Sequence, residues 1–302
     1  MPKVTVLMPV HNGAHFLAEA IESILTQTFD DFEFVIVDDG STDATSEILR
    51  LYAERDARIR VLREAKVGIV TALNRGLAMA SGTYLARMDA DDCALPNRLK
   101  MQVDLLDASP TVIACGSAVY QMGAKSGLVS MPRTDKQCKL FLAIGNCFAH
   151  PAVMFRMDAI KLCGLRYSNE YLYAEDYKLW SDMAAYGDFH NLRQPLLLYR
   201  VHSAQVGQRK RDSQRDAHLR VAHENLGRLN VSICVDDLQK FLWPVDEGFS
   251  GMVRYQKFCI ILLLHVLRRE NFRQWFFVRK MLGIVVRNTL RLSVGGRVNV
   301  AI

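Results

Sequence analysis

Thr83-Tyr84-Leu85-Ala86-Arg87-Met88-Asp89-Ala90-Asp91-Asp92 runs from an apolar segment straight into three carboxylates. Residues 83–87 read as a buried strand, and acids this close at a strand end repel one another unless water or a cation lies between them. Asp89 and Asp91, spaced i, i+2, can face one Mg²⁺ or Mn²⁺, whose hard character favours oxygen ligands. Asp is also a common helix cap, so these residues alone leave a metal site and an acidic turn both open.

Outward from that stretch, the first hundred residues alternate strand and helix patterns. Residues 4–8 form a continuous apolar run closed by Pro9, as expected of a strand buried on both faces. Phe16, Leu17, Ala20, Ile21, Ile24 and Leu25 then mark one side of a helix. A second buried strand, 32–37, ends in Asp38-Asp39-Gly40-Ser41, where Ser41 or Thr42 can cap a helix carrying Ile48, Leu49 and Tyr52. Residues 59–62 give a third strand, 68–80 a third helix and 83–87 a fourth strand. This alternation predicts an α/β fold with a mostly parallel central sheet and helices on both faces. Such sheets bind ligands beyond the carboxyl ends of their strands. That rule selects 9–12, 38–41 and 89–92, three segments converging on one edge, and it favours the metal over the turn. Farther along, 112–119, 152–155 and 195–199 read as strands and 174–186 as a helix. From about 205 the pattern is helical and increasingly basic.

At 302 residues and 50% hydrophobic, the chain can bury one large core or two modest ones. Its seven cysteines (93, 115, 138, 147, 163, 234 and 259) form no C-x-x-C pair and sit mostly in apolar runs. They fit buried thiols in a reducing compartment better than a disulfide framework or zinc site. No basic-then-apolar leader precedes the first strand, so a cytoplasmic location is expected. The net charge of +6 is unevenly placed. Residues 251–302 hold ten Lys and Arg against Glu270 alone, while the first 250 hold 28 basic and 31 acidic groups.

An acid at 38 or 39 can accept hydrogen bonds from a nucleobase or ribose, or simply close a turn around Gly40. The chain has neither G-x-G-x-x-G after its first strand nor a P-loop. The phosphates of a bound nucleotide therefore need another counter-charge, which a cation on Asp91 and Asp89 would supply. Tyr173-Ala174-Glu175-Asp176-Tyr177 opens an amphipathic helix with Leu179, Trp180 and Met183. Its acids suit a helix N-terminus, and a partly buried one can serve as a general base. In Tyr199-Arg200-Val201-His202, Arg200 can face phosphate and His202 can offer a nitrogen ligand, although a lone His is more often structural. His150-Pro151 is similar in kind.

Taken in order, these pieces resemble the family 2 glycosyltransferases over about residues 3–205. The resemblance rests on Val6-Leu7-Met8-Pro9-Val10-His11-Asn12-Gly13, Phe34-Val35-Ile36-Val37-Asp38-Asp39-Gly40-Ser41-Thr42-Asp43 and Ala72-Leu73-Asn74-Arg75-Gly76. It continues through Ala86-Arg87-Met88-Asp89-Ala90-Asp91-Asp92, His150-Pro151-Ala152-Val153-Met154-Phe155, Ala174-Glu175-Asp176-Tyr177 and Tyr199-Arg200-Val201-His202. It implies a GT-A catalytic domain at 1–205, with a nucleotide-binding half at about 1–95 and an acceptor half at about 96–205, followed by a helical region at 206–302. The implied activity is inverting transfer from a nucleotide-diphosphate sugar, by family weight a UDP-sugar, to a hydroxyl of a glycan or lipid-linked glycan, with Mn²⁺ or Mg²⁺. Pro9, Val10, Asn12, Asp38, Asp39 and Asn74 fall around the nucleotide. Asp89-Ala90-Asp91 looks like the D-x-D motif, with Asp91 on the metal, Asp89 on ribose or metal, His202 a further ligand and Asp92 left to the local turn. Asp176 falls at the catalytic base, and His150, Glu175 and Arg200 on the acceptor and phosphate side. His11 and Leu73 stand where many relatives have Tyr and Arg.

Residues 258–267 are too few to span a bilayer, which takes about 20. Beyond them Arg273, Lys280, Arg287 and Arg291 share one helical face, opposite Trp275, Val278, Leu282, Val285 and Val286; Phe277 and Ile284 blur the division. A basic amphipathic stretch over 251–291 can lie on an anionic membrane surface, or pack on the catalytic domain with its basic face solvated. Nucleic acid is not expected, because the aromatics form an apolar face and no recognised binding fold is present. A sugar nucleotidyltransferase would want a Gly-rich basic loop where Pro9-Val10-His11-Asn12-Gly13 stands. A non-catalytic nucleotide- or glycan-binding module would not need Asp89, Asp91 and Asp176 together. A processive membrane synthase would show a long apolar span and Q-x-x-R-W, and neither is present.

Overall fold

The computed structural model describes residues 1–203 and 210–243, so the basic stretch at 251–291 lies outside the described residues. The expected strands are present as β1 (Val4–Val10), β2 (Phe32–Asp39), β3 (Ile59–Glu64) and β4 (Tyr84–Arg87). They are joined by α1 (Ala14–Leu25), α2 (Thr45–Arg55) and α3 (Ile69–Met79), and lie parallel in the order β3-β2-β1-β4. There follow β5 (Cys93–Ala94), α4 (Arg98–Ala108), β6 (Val112–Gly123), β7 (Gly127–Val129), α5 (Asp135–Phe141), β8 (Met154–Arg156), α6 (Met157–Leu162), α7 (Glu175–Met183) and β9 (Asp188–Val201). The sheet turns mixed past β4. Antiparallel β8 sits between β4 and β6, β9 runs parallel to β6, and β5 and β7 pair antiparallel with β9 and β6.

β1, β2 and β4 are buried on both faces, which is why they read as apolar runs, whereas in the edge strand β3 Ile59 alone is buried. Val4, Val6 and Met8 of β1, with Phe32, Phe34 and Ile36 of β2, face the core under α1, α2 and α4. Leu7, Val35 and Val37 face the core under α3 and α7. Gly76 lets α3 lie directly on β1, since a Cβ there would sit 2.0 Å from Leu7 Cδ1. Pro9 does not close β1, as the apolar pattern suggested, but lies within it. Lys3 and Leu7 accept from the N–H groups of Tyr84 and Met88, so the odd residues of β1 point toward β4. Pro9 is the next on that side, beyond the last β4 residue of the ladder, and its missing N–H breaks no rung.

α8 (Arg211–Arg228) and α9 (Val235–Leu242) belong to the same core as the acceptor half: Ala222, Leu226, Leu238 and Phe241 share one apolar cluster with Tyr177 and Trp180 of α7. Among the described residues no helix is long and apolar enough to cross a membrane. Of the described cysteines, 93, 115, 138 and 147 are buried free thiols, as expected, whereas Cys163 is partly exposed and Cys234 exposed.

Candidate active site

The loops after β1 and β2 are built on each other. Asn12 adopts a left-handed φ of 52°; its N–H donates to Ser41 Oγ (2.9 Å) and its Oδ1 accepts from Thr42 N–H (2.8 Å). Ser41 and Thr42 therefore do not cap α2, which begins later, at Thr45 after Ala44. Asp43 Oδ2 and Thr45 Oγ1 instead accept from the N–H groups of Ala14 and Gly13, satisfying donors at the start of α1. Asp38, buried, accepts from Ser41 N–H (3.0 Å) and Ser46 Oγ–H (2.6 Å). Asp39 accepts from Val67 N–H (2.6 Å) and Gly68 N–H (3.1 Å) and so anchors the entry to α3. Gly40, at φ 68°, makes that approach possible, since a Cβ there would lie 2.7 Å from the Lys66 nitrogen.

At the end of β4 the carboxylates of Asp89, Asp91 and Asp92 offer ligand oxygens all within 4.8 Å of one another. Asp89 is ion-paired with the buried Arg87. Asp92 is fully buried; one oxygen accepts from Arg200 N–H (2.7 Å) and the other has no partner. It thus ties this loop to β9, and the expected assignment to a local turn is corrected. Burial, then the charges of Asp89 and Asp91, push the Asp92 carboxyl well above the usual range. Burial also raises Asp89, with Arg87 opposing. A fully buried Arg98 lies behind them, donating to the Arg87 carbonyl (2.5 Å), and burial brings it down to about 10.

β9 delivers the other half of this edge. His202 Nε2 lies 2.9 Å from Asp91 Oδ2. Arg200 donates from Nε to the Asp91 carbonyl (2.8 Å) and from Nη2 to Glu19 of α1 (2.5 Å). Phe16 supports both: its ring lies 4.4 Å from the Arg200 guanidinium and 5.1 Å from the His202 ring. Crowded carboxylate oxygens with one imidazole, one buried oxygen unpartnered, make a donor set that suits a hard or borderline divalent cation such as Mn²⁺ or Mg²⁺. A Cβ at Gly13 would lie 3.7 Å from the Ala90 Cβ, so the β1 loop borders the same acids.

Asp176 opens α7 with its side chain 18% exposed. It accepts from Tyr177 N–H (2.7 Å) and Asn146 Nδ2–H (2.5 Å), and His150 Nδ1 is 3.9 Å away. Burial raises its carboxyl, while the Tyr177 N–H, the charge of Arg87 and Asn146 pull it back. At the neighbouring Glu175 burial first, then the charge of Asp176, outweigh backbone hydrogen bonds at Glu175 and Tyr173 and lift it to about 7, and its Oε2 has no partner. Burial drives His150 well below its ordinary value, so it is neutral, with Nε2 3.0 Å from the Tyr167 hydroxyl. Tyr167 is held in turn by Asn74, whose amide pairs with the Tyr167 N–H (3.0 Å) and carbonyl (2.8 Å).

Among the anticipated residues, the structure brings together Asp89, Asp91, Arg200 and His202, sets Asp176, Glu175 and His150 side by side, and places Pro9, Val10, Asn12, Asp38 and Asp39 on the bordering strand ends. Asn74 spends its amide on the Tyr167 backbone. Arg87, Asn146 and Tyr167 were missed. Arg87 had a signal, a cation closing an otherwise apolar strand; Asn146 had none.

The sequence profile of glycosyl transferase family 2 matches residues 5–163. The chain is 28% identical to an uncharacterized glycosyltransferase of Haemophilus influenzae, over 97% of this chain and 98% of that protein. Among solved structures it is similar to S. aureus TarS 1-349 in complex with UDP-GlcNAc, with a TM-score of 0.63 at 18% identity, covering 87% of this chain and 81% of that one. It is also similar to the mannosyltransferase PcManGT from Pyrobaculum calidifontis in complex with GDP-Man and Mn²⁺, with a TM-score of 0.56 at 16% identity, covering 98% and 88%.

Proposed function

The chain belongs to glycosyl transferase family 2, and on that premise we propose that it moves a hexosyl group from a UDP-sugar to a hydroxyl of a glycan or lipid-linked glycan, with inversion at the anomeric carbon. The observation that carries the reading is the meeting, at one sheet edge, of acids from the β4 end with His202 and Arg200 from the β9 end; a separately supported carboxylate, Asp176, offers a base. The UDP-GlcNAc complex of a structural neighbour supports the donor class.

Pro9, Val10, Asn12 and Asp39 line the nucleobase side, with Asp38 assisting. Asp39 keeps accepting capacity after its bonds to Val67 and Gly68, because a carboxylate offers about four lone-pair sites. Asp91, His202 and Asp89 would hold a divalent cation, which when bound offsets the charge that gathers on the leaving diphosphate. Arg200 adds a positive charge at the same edge. Asp176, whose carboxyl burial raises while Tyr177 N–H, the charge of Arg87 and Asn146 pull it back, takes the proton of the acceptor hydroxyl as that oxygen attacks. Glu175 holds its proton to about neutrality, which spares Asp176 a second adjacent negative charge.

The test is a panel of nucleotide sugars assayed for Mn²⁺-dependent transfer and hydrolysis, together with Asp176→Asn. That variant is expected to lose about 10²–10⁴-fold in transfer while calorimetry shows intact UDP-sugar binding; equal loss of both in a folded variant contradicts the role. The reading also sets residues 251–291 against an anionic surface on the cytoplasmic face of the membrane, supported by the charge count alone. Co-sedimentation with phosphatidylserine vesicles should then fall when the chain is ended at 250; unchanged pelleting removes this part.

A further inference from the structure

Lys66 reaches across the end of β2, and a role for it there rests on the proposed reading of that edge as the nucleobase side. The sheet order β3-β2-β1 puts β2 in the middle. Lys66 follows β3 and His11 follows β1, yet Lys66 Nζ lies 2.7 Å from His11 Nε2. The lysine side chain therefore spans the strand end that carries Asp38 and Asp39. The backbone beneath it is pinned. A Cβ on Gly40 would lie 2.7 Å from the Lys66 nitrogen, and the N–H groups of Val67 and Gly68 donate to Asp39.

An ammonium has donors and no acceptor, so His11 Nε2 accepts and the ring's proton sits on Nδ1. That Nδ1 is buried with no partner, which costs stability instead of adding it. Fixing an exposed lysine also costs rotamer entropy, so stability does not account for the arrangement. No acid holds the head group either. Among the described residues Lys66 makes no ion pair, while Asp38 has Arg63 at 4.0 Å. Further N–H donors of the ammonium are thus left unused above the end of β2.

We propose that Lys66, steadied by His11, is a specificity-determining residue for the donor: its ammonium donates to a carbonyl oxygen on the edge of the nucleobase. Asp39 lies below with lone pairs to spare, which can take a ring N–H. A base with a ring N–H next to a carbonyl, as in uracil, fits this pair. Cytosine has the same outline with an amino group for that carbonyl and a bare ring nitrogen for that N–H. It sets a donor against the ammonium and a lone pair against the carboxylate, and the mismatch discriminates.

Calorimetric titration with UDP and with CDP, in Mn²⁺ buffer, reads the role without an acceptor or turnover. Wild type is expected to bind UDP about 10–100-fold more tightly than CDP, the range that one hydrogen bond to a charged group supplies. Lys66→Met keeps the stem and removes the donors, so UDP affinity should fall toward that of CDP while CDP changes little. His11→Phe keeps a ring without an acceptor and should lose part of the same preference, which serves should Lys66→Met fail to fold. An equal loss of UDP and CDP in Lys66→Met makes the lysine a counter-charge for phosphate and overturns the proposal, as does an unchanged preference in either folded variant. Wild type that binds neither nucleotide overturns the donor class and this inference with it; wild type that binds both equally overturns the inference alone.

Discussion

The acids that close β2 and those that close β4 lie on the same edge of the same sheet, but their oxygens have opposite fates. Asp38 and Asp39 receive five hydrogen bonds between them: from the backbone N–H groups of Ser41, Val67 and Gly68, the last reaching both oxygens of Asp39, and from the hydroxyl of Ser46. Asp89, Asp91 and Asp92 crowd one another, and one Asp92 oxygen is buried with no partner. The first pair builds loops and the second trio concentrates charge. An acid after a strand signals neither outcome by itself; the count of donors reaching it does. Desolvating carboxylates that crowd one another costs more than the closeness of two loops returns, which supports the proposed reading of the β4 cluster as a site, whereas the β2 pair is first of all a scaffold.

Substitutions can break that contrast. The largest effect is expected at Asp91→Ala, which should weaken Mn²⁺-dependent UDP binding by about 100-fold, since even supporting partners of metal ligands cost about 10–100-fold. Calorimetry with and without Mn²⁺ reads it, and equal affinities with and without the side chain would dissolve the distinction. Asp39→Ala should act chiefly on stability, by about 1–2 kcal/mol in urea unfolding, because it frees the Val67 and Gly68 N–H groups at the start of α3. An unaltered midpoint with lost nucleotide binding would make Asp39 a site residue like Asp91.

The smallest effect is a pH dependence at Glu33, a third donor-rich acid on β2. Burial pushes it up, but bonds from Thr5, from the N–H and hydroxyl of Ser81, and from Arg60 outweigh burial and bring it from 4.5 to about 2. A depressed carboxyl stabilises the fold above its unfolded value and loses that contribution as pH falls through the folded one. Glu33→Gln should therefore be less stable than wild type at pH 7, with the gap closing between about 4.5 and about 2. A gap that is constant over that window would mean the bonds do not depend on ionisation.

Much of the fold was legible because its signals are local. Four strands and three helices come from apolar runs and spacing, and their ends were misjudged by a few residues where distant partners decide them. Ser41 and Thr42 looked like caps of α2 and instead hold Asn12, a partner some thirty residues away. Pro9 looked like a terminator and sits inside β1, because the side it faces has no strand left to pair with. At the site, Asp89, Asp91 and Asp176 stood out from residue type and family pattern. Asn146 did not, since nothing in a short run of sequence says that it will meet Asp176 across 30 residues.

Residue order was enough to mark this chain as a GT-A transferase with acids at its strand ends, because hydrophobic period and residue type act within a few residues. Which of those acids stay crowded was left to long-range packing. The order β4-β8-β6-β9 brings Arg200 and His202 to Asp92 and Asp91 from more than a hundred residues away, and it lays β4, with Arg87, against the segment that carries His150. Burial and distant partners then set each carboxylate's charge, and neither is a property of neighbours in the chain.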